Sequence, residues 1–113
     1  MDEELESNMA KIEKRKLRAI FRDAVFDRDG YRCVTCGEGS TKLDAHHITD
    51  RKDMPNGGYV VENGISLCEG CHLKAEAYHA SGEAMTDFSP EDLYQRIRST
   101  LDEAIIASEK LSK

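Results

Sequence analysis

The chain has 113 residues, of which 34% are charged, and it carries a formal net charge of −6 at pH 7. No apolar run approaches the roughly 20 residues of a membrane-spanning helix, so we expect a single soluble domain with no membrane span. The first residues, MDEELESNMAKIEKRK, lack the basic start and apolar stretch of a secretory signal. We therefore expect a cytoplasmic protein, in whose reducing surroundings the four cysteines are metal ligands rather than disulfides.

Residues 2–26 predict an N-terminal amphipathic helix, because apolar side chains recur there at helical spacing. The sequence RDG that follows predicts its end, since Gly30 can adopt the positive φ of a helix exit. The apolar stripe of this helix consists of Leu5, Met9, Ile12, Leu17, Ile20, Phe21, Ala24 and Val25.

Charge is unevenly distributed along the chain. Residues 11–32 contain eight basic and four acidic residues, whereas residues 76–113 contain four basic and eight acidic ones. Such segregation permits a basic face on an acidic protein, and either a solvated helix surface or a phosphate-binding surface accounts for it. The candidate phosphate contacts are Lys14, Arg15, Arg18 and Arg22.

The middle of the chain predicts two short strands followed by a helix. TKLDAHHIT (residues 41–49) and GISLC (residues 64–68) have strand character, and a loop rich in Gly, Asn and Pro joins them. Ahead of the first strand, Gly37 follows a cysteine pair in a tight turn, as the backbone of a metal knuckle requires. The helix is predicted from His72 to about residue 80, where Ser81-Gly82 ends it.

One further amphipathic helix is predicted at the C-terminus. Ser89 suits its N-cap and Pro90 its first turn. Its apolar stripe, which we expect to lie in the core or in a dimer seam, consists of Leu93, Ile97, Leu101 and Ile105.

All four cysteines fall into two C-x-x-C pairs. Two such pairs together are typical of a tetrahedral four-thiolate zinc site, and the 31 residues between them exceed the spacing of a simple zinc ribbon. The second pair with its following histidine, CEGCH, also has the form of a haem attachment site. Haem attachment of this kind needs an exported chain, so we expect no haem. The zinc ligands are then Cys33, Cys36, Cys68 and Cys71.

A second cluster of metal-binding residue types lies between and just after these pairs. His46 and His47 are adjacent at the end of the first strand, Asn63 precedes the second strand, and His72 directly follows the last cysteine. Each histidine alone is best explained as a surface residue or a satisfied one. Because a four-thiolate zinc site has no position left for His72, a second metal is the simplest use for these imidazoles.

The segments LDAHHI, ENGISLC and CEGCH, in this order, resemble the HNH nuclease motif of the ββα-metal fold in its four-cysteine variety. The resemblance covers roughly residues 28–76, and it is to the small free-standing type found in phages and bacteria. It implies an α+β fold with a zinc-stapled ββα-metal core at residues 28–80. An amphipathic helix at residues 1–27 and another within residues 81–113 would flank this core.

The resemblance also implies site roles and a reaction. His46 and His72 would bind a catalytic divalent ion, Mg²⁺ or Mn²⁺, while His47 would be the general base and Asn63 would orient it. The zinc would be structural. The implied activity is metal-dependent hydrolysis of double-stranded DNA, and the alternative is a catalytically weak, zinc-clasped DNA-binding or phage packaging module.

Three further residues lie near this motif. Glu76 shares a helix face with His72 and is a candidate third ligand or a solvated acid. His79 lies about 10 Å further along the helix axis, too far for ligation, and Arg51 is either a phosphate contact or a surface residue. The sequence leaves two protein partners open, a second copy of this chain in a homodimer and a phage terminase.

Overall fold

The computed structural model describes residues 3–39 and 42–112, and side chains within residues 13–39 and 42–111. The predicted helix start at residue 2, the side chains of Leu5, Met9 and Ile12, and the predicted strand start at Thr41 lie outside these described parts. The helices are α1 (Glu3–Arg28), α2 (Glu69–Ser81), α3 (Pro90–Arg96) and α4 (Leu101–Glu109), and the strands are β1 (Leu43–His47) and β2 (Gly64–Cys68). The α+β class is confirmed.

Both predicted strands are present, and they pair as one antiparallel hairpin in the register Leu43↔Cys68 to His47↔Gly64. The connecting loop winds through three short 3-10 turns. Since α2 begins directly after β2, the chain forms a β-hairpin followed by a helix. This order brings the end of β1 next to the first turns of α2.

Helix α1 packs on the hairpin through Phe21 and Val25, which are 4% and 0% exposed. The close approach depends on Gly64, because a Cβ there would lie 2.5 Å from Val25 Cγ2 and 2.7 Å from Phe21 Cε1. Arg28 fixes the end of the helix by donating to the carbonyl oxygens of Val61 and Gly64, both at 2.6 Å. Ile20 of the predicted stripe is 66% exposed, so the buried face of α1 is narrower than the pattern indicated.

The prediction of a single C-terminal helix is wrong, because this segment forms two helices, α3 and α4. Between them Arg98 takes a left-handed φ of 58°, and Thr100 starts α4 as an N-cap that accepts from the Glu103 backbone N–H. Ser99 donates to the carbonyl oxygen of Glu62 at 2.9 Å. These hydrogen bonds compensate for the lost helical turn, and Leu101 of the predicted stripe is consequently exposed.

The hydrophobic core lies between the hairpin, α2 and the two C-terminal helices. Its largest fully buried apolar side chains are Ile48, Ile65, Leu67 and Leu93. None of the helices in the described parts of the chain combines the length and apolar character needed to cross a lipid bilayer.

Candidate metal centres and active site

The four cysteines converge as their spacing predicted. Their sulfur atoms all lie within 4.8 Å of one another, and Cys36 Sγ is 3.7 Å from Cys68 Sγ. Zinc–sulfur bonds of about 2.3 Å place the corners of a tetrahedron about 3.8 Å apart. The donor set and its dimensions therefore fit a structural zinc ion.

The knuckle backbone supports this arrangement. Gly37 has φ of +82° and donates its N–H to the carbonyl oxygen of Cys33 at 2.8 Å. Although burial acts to raise the pKa of Cys33, hydrogen bonds, led by that of Thr35, lower it to about 6. Burial raises the pKa of Cys71 to about 12. Cys71 is therefore a thiol near pH 7 without a metal, and a zinc ion bound by all four sulfur atoms would displace its proton.

A second cluster joins the end of β1 to α2. Nitrogen atoms of His46 and His72 and a carboxylate oxygen of Glu76 lie within 4.8 Å of one another. His46 is 2% exposed, and its Nδ1 has no hydrogen-bond partner among the described residues, although Glu76 Oε1 is 3.3 Å away. A buried, unpartnered nitrogen facing a carboxylate is a site that a cation would satisfy.

Asp44 also belongs to this site, although it was not predicted from the sequence. Its Oδ2 lies 3.1 Å from Nδ1 of His72, whose Nε2 lies 3.1 Å from Glu76 Oε1. With Nδ1–H donating to Asp44, Nε2 is left as the ligand atom, which is the usual arrangement behind a metal-binding histidine. Strand alternation could have indicated this residue, because Asp44 and His46 are two positions apart and share a face of β1.

His47 lies in an aromatic enclosure next to this cluster. Its ring stacks on Phe21 of α1 at 4.5 Å between centroids, and the Tyr59 ring meets it edge-on at 4.8 Å. Its Nε2 is buried and has no hydrogen-bond partner among the described residues. The ring is held in place while one nitrogen stays unused by the protein.

Burial lowers the pKa of both adjacent histidines. The pKa of His46 falls to about 3, with further contributions from His72 and His79, and that of His47 falls to about 4, with a contribution from Arg51. Both imidazoles are therefore neutral near pH 7. The neutral form is the one that binds a cation or accepts a proton.

Asn63 is fully buried and makes its hydrogen bonds across the loop that follows β1. Its Oδ1 accepts from the Thr49 N–H at 2.9 Å, and its Nδ2 donates to the carbonyl oxygens of Thr49 and Gly58. Its own carbonyl accepts from the Ile48 N–H at 2.9 Å. Asn63 thus fixes the backbone directly after His47 rather than the imidazole itself.

His79 lies beside the site without joining the ligand cluster. Its ring stacks on that of His46 at 5.1 Å, and its Nε2–H donates to the carbonyl oxygen of His47 at 2.9 Å. Because a carbonyl only accepts, this bond fixes the tautomer of His79. The residue supports the end of β1 from the α2 side.

A cavity of about 530 Å³ connects these groups with two arginines of α1 and one of the loop. Arg18 and Arg51 both contact the Tyr59 hydroxyl, whereas Arg22 pairs with Asp23. Burial acts to raise the pKa of Tyr59, but the hydrogen bonds from the two arginines outweigh it and lower that pKa. The other candidate phosphate contacts, Lys14 and Arg15, are exposed on α1 and do not line this cavity.

The family model described as HNH endonuclease matches residues 33–77, which include both cysteine pairs, both strands and most of α2. No curated protein and no solved structure matches the chain. Phe21 and Arg18, which line the cavity, lie outside the matched residues.

Proposed function

Since residues 33–77 of this chain form an HNH endonuclease domain, we propose that the protein is a metal-dependent endonuclease that hydrolyses phosphodiester bonds of double-stranded DNA. The observation that carries the proposal is the position of His47, a neutral imidazole enclosed next to the cluster of His46, His72 and Glu76.

The cluster would hold the catalytic ion. His46, His72 and Glu76 supply two imidazole nitrogens and one carboxylate oxygen, and Asp44 orients His72. A divalent ion bound there, for which we propose Mg²⁺ or Mn²⁺, supplies Lewis-acid stabilisation of the charge on the phosphate. Three protein ligands leave coordination positions for phosphate and water. Glu76 is therefore proposed as a ligand rather than a solvated acid.

His47 would activate the nucleophile. It accepts a proton from a water molecule as the water oxygen forms a bond to phosphorus. The bond from phosphorus to the 3′-oxygen breaks, and that oxygen takes a proton from solvent, giving 5′-phosphate and 3′-hydroxyl ends. Asn63 holds the backbone after the base, and Phe21 and Tyr59 hold its ring.

A plasmid-nicking experiment tests the proposal. The zinc-loaded protein is incubated with supercoiled plasmid and added Mg²⁺ or Mn²⁺, beside the His47→Ala variant and a Lys52→Gln surface variant. We expect nicked or linear products from the parent and the surface variant, and a rate lowered by about 10² to 10⁴ for His47→Ala. A folded, zinc-loaded parent that binds DNA but leaves the plasmid intact with every divalent ion would support a DNA-binding module and overturn the nuclease proposal.

A further inference from the structure

The Tyr59 hydroxyl joins two arginines from separate elements. Arg18 of α1 approaches it through Nε at 3.4 Å, and Arg51 of the loop after β1 approaches it through Nη1 at 3.0 Å. The two guanidinium groups are 33 positions apart in the chain, and the hydroxyl oxygen that accepts from both brings them together.

These two arginines lack carboxylate partners. Among the described residues, neither Arg18 nor Arg51 has a carboxylate oxygen within 4.0 Å. Arg22 and Arg28 differ, since they pair with Asp23 at 3.3 Å and Asp29 at 2.7 Å. Asp50 and Glu76 act on Arg51 only at longer range, so two guanidinium groups that share a neutral acceptor leave positive charge that a bound anion would neutralise directly.

The donors at this point match a phosphate group. The Tyr59 oxygen accepts from both arginines, so its own O–H is left to donate. Each guanidinium uses one N–H on Tyr59 and keeps others in a planar fork, the geometry that binds phosphate oxygens in pairs.

This anion site lies next to the proposed catalytic residues. Arg18, Tyr59 and Arg51 line the same cavity as His46 and His47, and the Tyr59 ring meets the His47 ring at 4.8 Å. An anion held by the three side chains would lie beside the proposed base.

We propose that Arg18, Tyr59 and Arg51 form one subsite for a backbone phosphate of the nucleic acid substrate, in which the Tyr59 hydroxyl positions the two guanidinium groups. This inference rests on the proposed function. It makes α1, which lies outside the matched family domain, a part of the substrate-binding site.

Binding of a fluorescent DNA duplex tests the subsite without requiring cleavage. Affinity is measured over a series of salt concentrations with Ca²⁺ as the only added divalent ion, for Arg18→Gln, Arg51→Gln, Tyr59→Phe and the combinations with Tyr59→Phe. Lys52→Gln is the matched control, because Lys52 follows Arg51 directly, is exposed, carries the same charge and does not line the cavity. Circular dichroism and zinc content show whether each variant is folded.

We expect each arginine variant to bind on the order of tenfold more weakly and to lower the salt slope by about one. Tyr59→Phe removes no charge, yet it should weaken binding severalfold, and each arginine substitution should then cost less than it does in the parent. Lys52→Gln should change affinity by less than about threefold. Additive effects, or a Tyr59→Phe variant that binds like the parent, would overturn the subsite.

A second arm distinguishes the source of the phosphate. Inorganic phosphate is titrated into the DNA-free parent and Tyr59→Phe proteins, and the heat of binding is measured by calorimetry. Phosphate binding that depends on Tyr59, together with DNA binding that does not, would assign the subsite to free phosphate and overturn the proposal. Because both arms measure binding, a protein that binds DNA through these residues but does not cut it would refute the nuclease function and leave the subsite intact.

Discussion

The Tyr94 hydroxyl donates a 2.7 Å hydrogen bond to Oδ1 of Asn63. Tyr94 belongs to α3, beyond the matched family residues, and both side chains are buried, at 5% and 0% exposure. With this bond, both the oxygen and the nitrogen of the Asn63 amide are satisfied, and its orientation is fixed. The C-terminal part of the chain thereby supports the loop that follows the proposed base, His47.

Tyr94→Phe should lower the free energy of unfolding by about 1–2 kcal/mol, because Asn63 and Thr49 each lose a buried partner. Cleavage should slow several-fold with DNA affinity unchanged, since Tyr94 does not line the cavity that contains the phosphate subsite. Urea denaturation and single-turnover cleavage measure the two effects. Asn63→Ala removes all of the side-chain hydrogen bonds of this residue, so it should lower both the free energy of unfolding and the cleavage rate further than Tyr94→Phe does. A smaller effect of Asn63→Ala on either quantity would contradict this explanation.

The variants His47→Ala and His46→Ala should lose cleavage activity for different reasons. His47→Ala keeps the ligand cluster, so the divalent ion and DNA should still bind while cleavage falls by about 10² or more. His46→Ala removes a ligand, so activity should fall together with metal affinity and recover in part at high Mn²⁺. Plasmid cleavage across a metal titration distinguishes the two variants, and identical responses would show that base and ligand are assigned wrongly.

Asp44→Asn should weaken binding of the catalytic ion by about tenfold, because His72 loses the carboxylate that orients it. Calorimetric titration of Mn²⁺ into the zinc-loaded protein measures this change. Asp50→Asn is the control, since Asp50 lines the same cavity and no described hydrogen bond joins it to His72. Equal losses of affinity in both variants would indicate a general effect of negative charge instead of orientation.

Cys68→Ser should prevent zinc binding and unfold much of the protein. In a small domain the free energy of metal binding contributes directly to the free energy of folding. Elemental analysis should find about one zinc per parent chain, and circular dichroism should show an unfolded or precipitating variant. Thr35→Val, which removes only the hydroxyl near Cys33, should retain zinc. A fully folded, zinc-free parent protein would contradict the structural role of the metal.

Substituting both Lys14 and Arg15 with Gln should weaken DNA binding equally for all sequences and lower its salt slope. Because neither residue lines the cavity, the cleavage rate at saturating protein should stay close to that of the parent. An unchanged salt slope would assign this part of α1 to a solvated surface.

The sequence by itself predicted both strands, the helix after them and the residues that form the two clusters. Two C-x-x-C pairs predict the four-cysteine cluster, because each pair sits in one turn and the chain has only four cysteines. Alternation predicted the first strand, and an apolar run after a turn predicted the second. The spacing of four residues placed Glu76 beside His72 on α2. These features depend on neighbours within one element, where the geometry is nearly independent of the rest of the fold.

The tertiary structure alone decided which distant side chains complete the site. Arg18 reaches Tyr59 across 41 positions and Tyr94 reaches Asn63 across 31, and no local periodicity encodes such contacts. The break after Arg98 combines a local feature, the Thr100 N-cap that accepts from the Glu103 N–H, with the hydrogen bond from Ser99 to the carbonyl oxygen of Glu62, 37 positions away. Helical spacing predicted one continuous helix there, but the local cap and the long-range hydrogen bond together stabilise two shorter helices, and only the second of these depends on the folded chain.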